Sequence, residues 1–312
     1  MKKVFIDGNQ GTTGLRLEDR LKQRNDIELV HIDADKRKDK DERRRLINSS
    51  DIVFLCLPDD AARESVSLCE NENTVIIDTS TAHRTSPDWA YGFAELSKSH
   101  REALSTSKRI AVPGCHASGF ISIVYPLISS GIMPNDYPVV SHSLTGYSGG
   151  GKKMIEQYET NKTNDLLAPR QYGLTQMHKH LKEMKAVTGL SDLPLFTPIV
   201  DDYYSGMATT VTLYSKMLNC KSINQVHEMF ADFYKDASLI SVLPIYGGEP
   251  ATGLISANEM SGFDSMKILI SGNEERIFIT SVFDNLGKGA SGAAVQCMNI
   301  AMGEDETTSL KI

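Results

Sequence analysis

The sequence predicts an α/β fold with two domains, the first built on a parallel sheet and the second, of α+β type, on a mostly antiparallel sheet. Apolar strand-like runs alternate with helical segments over the first third of the chain, as in parallel sheets covered on both faces. From residue 139 to 285, β-like runs dominate instead. The chain has 312 residues, 40% of them hydrophobic, which is enough for two cores.

Composition excludes several classes of protein. The net charge of -7 and the pI near 5.7 argue against sequence-independent nucleic-acid binding, which needs a cationic surface. No apolar run approaches the roughly 18 residues of a membrane span, and Met1-Lys2-Lys3 leads into a strand and not into a signal peptide. Five cysteines without a Cys-x-x-Cys pair support neither a disulfide framework nor a zinc site. We therefore expect a cytoplasmic location, with no nucleic-acid or membrane partner.

The first predicted strand, Lys3 to Asp7, runs into a glycine loop and then a helix. The loop carries glycines at 8, 11 and 14 and threonines at 12 and 13. Glycine lets a backbone approach a phosphate closely, and a helix N-terminus offers free N–H donors. This pattern favours a nucleotide phosphate site at Gly8, Gly11, Thr12, Thr13 and Gly14. The G-x-x-G-x-x-G spacing departs from the usual dinucleotide motif, so a glycine-rich connection without a ligand is the alternative.

A second strand, Ile27 to Ile32, precedes a charged cluster of Asp33, Asp35, Lys36, Arg37 and Lys38. In a dinucleotide fold this position meets the adenosine ribose, and basic side chains there suit a 2′-phosphate. An acid there suits a free 2′-hydroxyl, and the sequence offers both signs. The cluster of Lys36 with Arg37 and Lys38 favours NADP. The same residues also fit a solvated, charged helix start.

Two further apolar strands, 51–57 and 74–79, end at positions that face the ligand crevice of a parallel sheet. Pro58 follows one of them, and Ser80, His83 and Arg84 follow the other. All four are therefore expected where a substrate or a cofactor binds, and we assign Pro58 to the cofactor and the other three to the substrate. A guanidinium can fork onto a carboxylate or phosphate, although Arg84 equally fits a structural ion pair.

Cys115 lies where a fifth strand turns into a helix. The apolar run at 109–112 ends at Pro113-Gly114, and apolar residues then recur at helical spacing. N–H groups of a first helical turn stabilise a thiolate. Cys115 is therefore a candidate nucleophile, and an inert buried cysteine is the alternative.

Two further segments of the second domain bear on chemistry. The glycine-rich loop with Gly149, Gly150 and Lys152 fits either an anion site or a flexible linker. His178 and His180 offer proton donors and acceptors near neutral pH. A metal site lacks a third ligand at suitable spacing, so we expect none. Surface histidines on a helix are the other alternative.

Small residues at 289–294 near the C-terminus predict close backbone packing at the start of a buried helix that returns to the first domain. The acidic tail after Gly303 is expected to fray.

Four segments, taken together, resemble the N-acetyl-γ-glutamyl-phosphate reductase family in its shorter type. They are Tyr91–Leu96, Ala111–Cys115, His178–Met184 and Asp284–Gly292. The resemblance implies the fold of the aspartate-semialdehyde dehydrogenase superfamily. It implies an NADP-binding domain over residues 1–117, a catalytic and dimerisation domain over 118–285, and a C-terminal helix over roughly 286–312 that completes the first domain.

The resemblance also implies a reaction, the NADPH-dependent reduction of N-acetyl-L-glutamyl 5-phosphate to the 5-semialdehyde in arginine biosynthesis. Cys115 would form a thioester, and His178, with His180 as the alternative, would act as acid and base. By the same resemblance, the glycine loop holds the pyrophosphate and Asn285 and Lys288 lie on the nicotinamide side. Arg84 would lie near the substrate anion and residues 149–152 near the phosphate.

The sequence departs from the family at Lys182, where proline is expected. The nearest rival function is aspartate-semialdehyde dehydrogenase, but its Asn before the cysteine is absent. A cysteine hydrolase and a non-catalytic dinucleotide sensor are rivals from other classes. A large sheet with one exposed face favours a homodimer or homotetramer. The resemblance implies an acyl phosphate or semialdehyde as the small-molecule substrate.

Overall fold

Up to residue 113 the chain alternates strands and helices. The elements are β1 (Lys2–Asp7), α1 (Thr12–Leu21), β2 (Ile27–Val30), α2 (Lys40–Ser49), β3 (Ile52–Leu55), α3 (Asp59–Ser67), β4 (Val75–Asp78), β5 (Ala90–Tyr91), α4 (Lys98–Thr106) and β6 (Arg109–Ala111). The computed structural model of the protein describes residues 1–220, 222–248 and 253–312. These residues divide into two units, one of residues 1–113 and 290–310 and the other of residues 114–289 and 311–312.

The rest of the chain mixes longer strands with helices. Its elements are α5 (Cys115–Ser129), β7 (Val140–Gly146), α6 (Gly151–Glu159), β8 (Arg170–Gln171), α7 (His180–Thr188), β9 (Leu195–Asp201), β10 (Met207–Tyr214), α8 (Ile223–Phe233), β11 (Ile240–Val242), β12 (Met266–Gly272), β13 (Arg276–Phe283) and α9 (Gly292–Met302). Among the described residues, no helix has both the length and the apolar character needed to cross a bilayer.

Among the described residues, the first unit contains a parallel sheet with the strand order β2-β1-β3-β4-β6-β5. Val4 of β1 lies opposite Leu29 of β2 and Ile52 of β3. The predicted parallel sheet is confirmed. The two-residue strand β5 was not predicted, because a segment that short carries no periodicity.

Both faces of this sheet are covered, as unbroken apolar strands require. On one face, Val4 and Phe54 belong to a buried cluster with Ala294 and Met298 of α9. On the other face, Phe5 belongs to a cluster with residues of α2 and α3. The last helix thus packs against the sheet of the first unit.

A buried ion pair ties the end of β1 to its flanking helices. Arg43 donates to the Asp7 Oδ2 atom from Nε at 3.2 Å and from Nη2 at 3.0 Å, and the Ser65 hydroxyl donates to the same oxygen at 2.8 Å. Arg43 is only 6% exposed, so it is not part of a solvated charged surface. It neutralises the carboxylate directly before the glycine loop.

The described part of the second unit contains a mixed sheet with the strand order β11-β12-β13-β10-β7-β9-β8. Four of its neighbouring pairs are antiparallel, and β7–β9 and β11–β12 are parallel. The expectation of a mostly antiparallel second sheet is confirmed.

Helix α5 packs closely on β10 and β13 of this sheet. A Cβ atom at Gly119 would lie 2.4 Å from Thr209 Oγ1, and Ser281 donates to the Gly119 carbonyl at 3.1 Å. Only glycine permits this approach. The packing fixes the position of the first turn of α5, where Cys115 lies.

The acidic tail is held in place, so the expectation that it frays is wrong. Asn299 of α9 donates from Nδ2 to the carbonyls of Glu306 and Thr308. Arg101 pairs with the Glu306 carboxylate at 2.9 Å. Helix α9 itself ends at Met302, well before residue 312, because Gly303 terminates it in a left-handed conformation, φ +76°.

Candidate active site

Cys115 is the first residue of α5, as predicted. Gly114 is the N-cap and has no side chain to occupy the N–H groups of the first turn. Its own N–H donates to Glu183 Oε1 at 2.9 Å. An uncapped helix N-terminus favours negative charge, and Cys115, a partly buried residue, lies in its first turn. By contrast, burial raises the pKa of the Cys56 thiol to about 12, which keeps Cys56 protonated.

Gly289 packs against the thiol residue. A Cβ atom there would lie 3.0 Å from Cys115 Cβ and 3.1 Å from the Asp284 carbonyl. The tight backbone approach predicted for residues 289–294 is thus observed at Gly289. A larger residue at this position would push on Cys115 directly.

His178, which is partly buried, forms a ring cluster with the buried His180 and His116. The ring centroids of His178 and His180 are 4.7 Å apart. They lie 5.7 Å and 5.9 Å, respectively, from His116, the residue after Cys115. His180 is the first residue of α7 and is 7% exposed, so the alternative of surface histidines is wrong. Burial, with a smaller effect of Lys179, lowers the pKa of His178. His178 is therefore neutral at pH 7 and able to accept a proton.

A side-chain clamp holds the loop before His178. Gln176 has a positive φ of 55°, which is uncommon outside glycine. Its amide accepts from Phe196 N at 3.0 Å and donates to Phe196 O at 2.8 Å. Phe196 in turn packs edge-on against His178, 5.4 Å between centroids. No local sequence pattern indicated Gln176.

Sequence reasoning also missed His116, Tyr172 and Ser143. His116 is 2% exposed and contacts the hydroxyls of Ser143 and Tyr172 at 2.7 Å and 2.5 Å. Its position next to Cys115 was a usable signal. Tyr172 and Ser143 carried none, because they come from distant parts of the chain.

The glycine loop after β1 is built for close approach. Gly8 has φ +93°, and a Cβ there would lie 2.4 Å from the Cys56 carbonyl. A Cβ at Gly14 would lie 2.5 Å from the Gly8 carbonyl. Helix α1 starts at Thr12, and its N-cap Gly11 makes no side-chain capping bond. These features leave first-turn N–H groups for a phosphate, which fits the pyrophosphate of a dinucleotide.

Basic residues follow β2 on an exposed turn. Lys36 pairs with Asp33 at 3.6 Å. Arg37 and Lys38 are exposed and form no ion pair within the part of the chain that the structure describes. The structure therefore leaves both charges open to a ligand. Pro58 lies at the N-cap of α3, where the third predicted strand ends.

Ser80, His83 and Arg84 are engaged in the fold of their loop. Asp78 accepts from the Ser80 hydroxyl at 2.7 Å and lies 2.7 Å from His83 Nδ1. The His83 ring stacks on Trp89, 4.1 Å between centroids. Arg84 donates to the carbonyls of Val112 and Thr79. These contacts stabilise the loop and do not test a substrate role. The predicted substrate role of the three residues therefore stays a prediction.

The glycine-rich segment of the second unit starts a helix, so the flexible-linker alternative is wrong. Residues 147–150 form a short 3-10 turn that leads into α6, with Gly149, Gly150 and Lys152 exposed. Asn285 donates to the Ser148 hydroxyl at 3.0 Å and accepts from Gly206 N at 2.8 Å. Asn285 thereby ties this segment down. Lys288 is 3% exposed.

Potential metal ligands form no cluster in the part of the chain that the structure describes. Across residues 1–220, 222–248 and 253–312, no group of three or more His, Cys, Asp or Glu side chains is arranged to hold an ion.

Comparison with known proteins identifies the family. Residues 3–105 match the family described as "Semialdehyde dehydrogenase, NAD binding domain", and residues 115–285 match "Semialdehyde dehydrogenase, dimerisation domain". N-acetyl-gamma-glutamyl-phosphate reductases of Brucella ovis and Brucella canis are each 43% identical over 97% of this chain and 99% of theirs. The chain belongs to the N-acetyl-gamma-glutamyl-phosphate reductase family.

Solved structures of the wider superfamily share this family's fold. Aspartate semialdehyde dehydrogenase from Francisella tularensis has a TM-score of 0.72, with 14% identity over 97% of this chain and 100% of that chain. Aspartate semialdehyde dehydrogenase II of Vibrio cholerae has a TM-score of 0.71, with 15% identity over 97% and 98%. At this identity the likeness concerns the fold alone. The family resemblance and the fold class predicted from the sequence are confirmed, and the first unit is a nicotinamide dinucleotide-binding domain.

Proposed function

We propose that this protein catalyses the NADPH-dependent reductive dephosphorylation of N-acetyl-L-glutamyl 5-phosphate to N-acetyl-L-glutamate 5-semialdehyde. The observation that carries the proposal is Cys115 at an uncapped helix N-terminus in a chain 43% identical to N-acetyl-gamma-glutamyl-phosphate reductases. A cysteine hydrolase would not need the glycine loop, and a dinucleotide sensor would not need Cys115.

In the proposed reaction, the Cys115 thiolate attacks the acyl carbon. A C–S bond forms, the C–O bond to phosphorus breaks, and phosphate leaves with its electron pair. The uncharged thioester accepts a hydride more readily than the charged acyl phosphate. A reduced nicotinamide dinucleotide, when bound, supplies that hydride.

His178 holds the proton in the steps on Cys115, with His180 as the alternative. Neutral His178 first takes a proton from the thiol. It returns this proton to the oxygen of the thiohemiacetal and removes it again when the C–S bond breaks. Semialdehyde leaves, and the thiolate is restored.

The remaining assignments are proposals for ligand contacts. Gly8, Gly11, Thr12, Thr13 and Gly14 would hold the pyrophosphate, and Arg37 and Lys38 a 2′-phosphate, which makes NADP the proposed cofactor. Pro58, Asn285 and Lys288 are proposed near the cofactor. Ser80, His83, Arg84, Gly149, Gly150 and Lys152 are proposed near the substrate. Domains at 1–117 and 118–285, a homo-oligomer and a cytoplasmic location stay predictions.

Replacing Cys115 by serine tests the proposal. We expect Cys115→Ser to lower the phosphate-dependent oxidation of N-acetylglutamate 5-semialdehyde with NADP by at least ~1000-fold, because the nucleophile is lost. Dinucleotide binding, followed by fluorescence titration, should be unchanged. Cys69→Ser is the matched control and should keep full activity.

Two outcomes would overturn the proposed function. One is wild-type activity in Cys115→Ser, which would exclude the covalent route. The other is a wild-type enzyme that oxidises aspartate semialdehyde but not the N-acetylated substrate, which would favour the rival dehydrogenase.

A further inference from the structure

The carboxylate of Asp7 receives hydrogen bonds from two helices. Asp7 is the last residue of β1, directly before Gly8, and is 4% exposed. Its Oδ2 atom accepts from Nε and Nη2 of Arg43 in α2, at 3.2 Å and 3.0 Å. The same atom accepts from the Ser65 hydroxyl in α3 at 2.8 Å. One side chain thus joins the end of β1 to both α2 and α3.

The backbone at this point has little freedom. The Asp7 carbonyl accepts from Cys56 N at 2.8 Å. Gly8 has φ +93°, and a Cβ there would lie 2.4 Å from the Cys56 carbonyl oxygen. Because Gly8 already lies against this carbonyl, a displacement of Asp7 would carry the start of the glycine loop with it. The anchoring of Asp7 therefore determines where the loop begins.

Arg43 has few donors left for a ligand. A guanidinium has five N–H groups. Nε and Nη2 each donate to Asp7, Nη2 also donates to Ser65 Oγ, and Nη1 donates to Glu64 Oε2 at 2.9 Å. These bonds engage four of the five N–H groups. Arg43 is therefore suited to act on Asp7 and not to bind a phosphate itself.

Arg43 also supplies the counter-charge of Asp7. Lys40 pairs with the other oxygen of Glu64 at 2.6 Å, so the two basic and two acidic side chains carry no net charge together. Without Arg43, a buried carboxylate would stand uncompensated next to the loop that is proposed to hold an anionic pyrophosphate. A buried charge without its partner is costly, and its sign would oppose phosphate binding.

We propose that Asp7 and Arg43 are positioning residues for the dinucleotide. The Asp7 carboxylate anchors the glycine loop to α2 and α3, and Arg43 cancels its charge so that the loop can accept the pyrophosphate. The inference rests on the proposed function in one respect, the assignment of the pyrophosphate to this loop. NADPH and NADH both carry a pyrophosphate, so Arg43 governs the affinity for both and not the preference between them.

Arg24 supplies a matched control in the same unit. It is 8% exposed and donates to Asp26 from Nε at 2.8 Å and from Nη2 at 2.5 Å. Asp26 directly precedes β2, at the amino end of the parallel sheet, whereas Asp7 lies at its carboxyl end. Methionine at either position removes a buried guanidinium from an aspartate, and only Arg43 acts beside the glycine loop.

The first measurement is the Kd of the full-length protein for NADPH and for NADH, by fluorescence titration. We expect Arg43→Met to raise both Kd values by at least ~10-fold and by similar factors. Arg24→Met should lower the melting temperature and leave both Kd values unchanged. Unchanged Kd values in Arg43→Met would overturn the inference. A rise for NADPH alone would also overturn it, because Arg43 would then contact the 2′-phosphate.

The second measurement tests whether Arg43 acts through Asp7. Asp7→Asn removes the charge and keeps the shape of the side chain. In the Arg43→Met background it should recover at least ~3-fold of the lost affinity, because no buried charge is then uncompensated. Losses that multiply in the double variant would show that the two residues act independently, which would overturn the inference.

Ser65→Ala is the milder variant. It removes one of the three hydrogen bonds to Asp7 Oδ2 and leaves every charge in place. We expect it to raise the Kd for both dinucleotides by about 3-fold. If Arg43→Met does not fold, as judged by thermal unfolding, Ser65→Ala decides by itself, and unchanged Kd values would overturn the inference.

Failure of the inference is distinguishable from failure of the proposed function. In steady-state kinetics, Arg43→Met should raise the KM for NADP by at least ~10-fold with kcat within ~3-fold, because Arg43 acts on binding and not on the chemical step. A wild type that binds NADPH but has no reductase activity would refute the function, while the Kd values would still decide the role of Arg43. An active wild type whose cofactor affinity is unaffected by Arg43→Met would refute the inference alone. A wild type that binds neither dinucleotide would refute both.

Discussion

The glycine loop and the thiol site both lie at the N-terminus of a helix, but they are built in opposite ways. The loop requires glycine, because a Cβ at Gly8 or Gly14 would clash with backbone atoms within 2.5 Å. The thiol site depends on side chains that are present, in a buried chain that runs through His116. A loop of the first kind tolerates no added atom, whereas a site of the second kind is sensitive to the loss or protonation of a polar group.

The largest effect should follow from filling the space at Gly8. Alanine there would meet the Cys56 carbonyl and adopt a φ of +93°, so we expect Gly8→Ala to cost about 3 kcal/mol or more in the free energy of unfolding. NADPH affinity, measured by fluorescence titration, should fall by at least ~100-fold, because the loop must shift away from the phosphate position.

Gly131 is the control for backbone strain alone. Its φ is +74°, and a Cβ there would meet nothing within 4 Å. Gly131→Ala should cost about 1 kcal/mol and leave NADPH affinity unchanged. If Gly8→Ala binds NADPH as tightly as the wild type, the loop is not the phosphate site.

Acid should lower the free energy of unfolding by a smaller amount. We expect this loss to arise at the thiol site, because residues 8–14 of the glycine loop contain no titratable side chain. The folded-state pKa of His116 is about 3, below its ordinary value of 6.5. Between these pH values the unfolded chain binds a proton that the folded chain does not, so stability falls as pH falls below 6.5. At pH 5 the loss is about 2 kcal/mol relative to pH 7.

Urea unfolding at pH 7, 6 and 5 measures this dependence. His178, whose pKa burial also lowers, contributes in the same direction. His116→Gln should therefore flatten the curve without abolishing it. An equal slope in the variant and the wild type would show that His116 does not govern the acid response.

The smallest effect concerns the exposed basic residues after β2. We expect Arg37→Ala and Lys38→Ala each to raise the Kd for NADPH about 5-fold, worth about 1 kcal/mol per exposed charge contact, and to leave the Kd for NADH unchanged. Arg45, which pairs with Glu42 at 2.7 Å, is the control. An unchanged NADPH to NADH preference in both variants would make the pair a surface feature.

Much of the fold was predictable, because its determinants are local. Unbroken apolar runs predicted β1, β3 and β4, and β10, β12 and β13 lie within residues 139–285, where β-like runs were predicted to dominate. Pro113-Gly114 before an apolar helical repeat placed Cys115 at the start of α5. Glycine spacing marked the loop after β1, since only glycine meets its backbone requirement.

By itself, the sequence determined the two sheets, the glycine loop and the residue at the helix start. Only the tertiary structure decided the surroundings of that residue. The hydrogen bonds that connect His116 with Ser143, Tyr172 and Thr209 span 27 to 66 residues of chain. The side chain of Gln176 bonds to the backbone of Phe196 across 20 residues. Local periodicity specifies which face of a strand is buried. It does not specify which distant strand lies beside it, and that pairing brings these polar groups within hydrogen-bond distance.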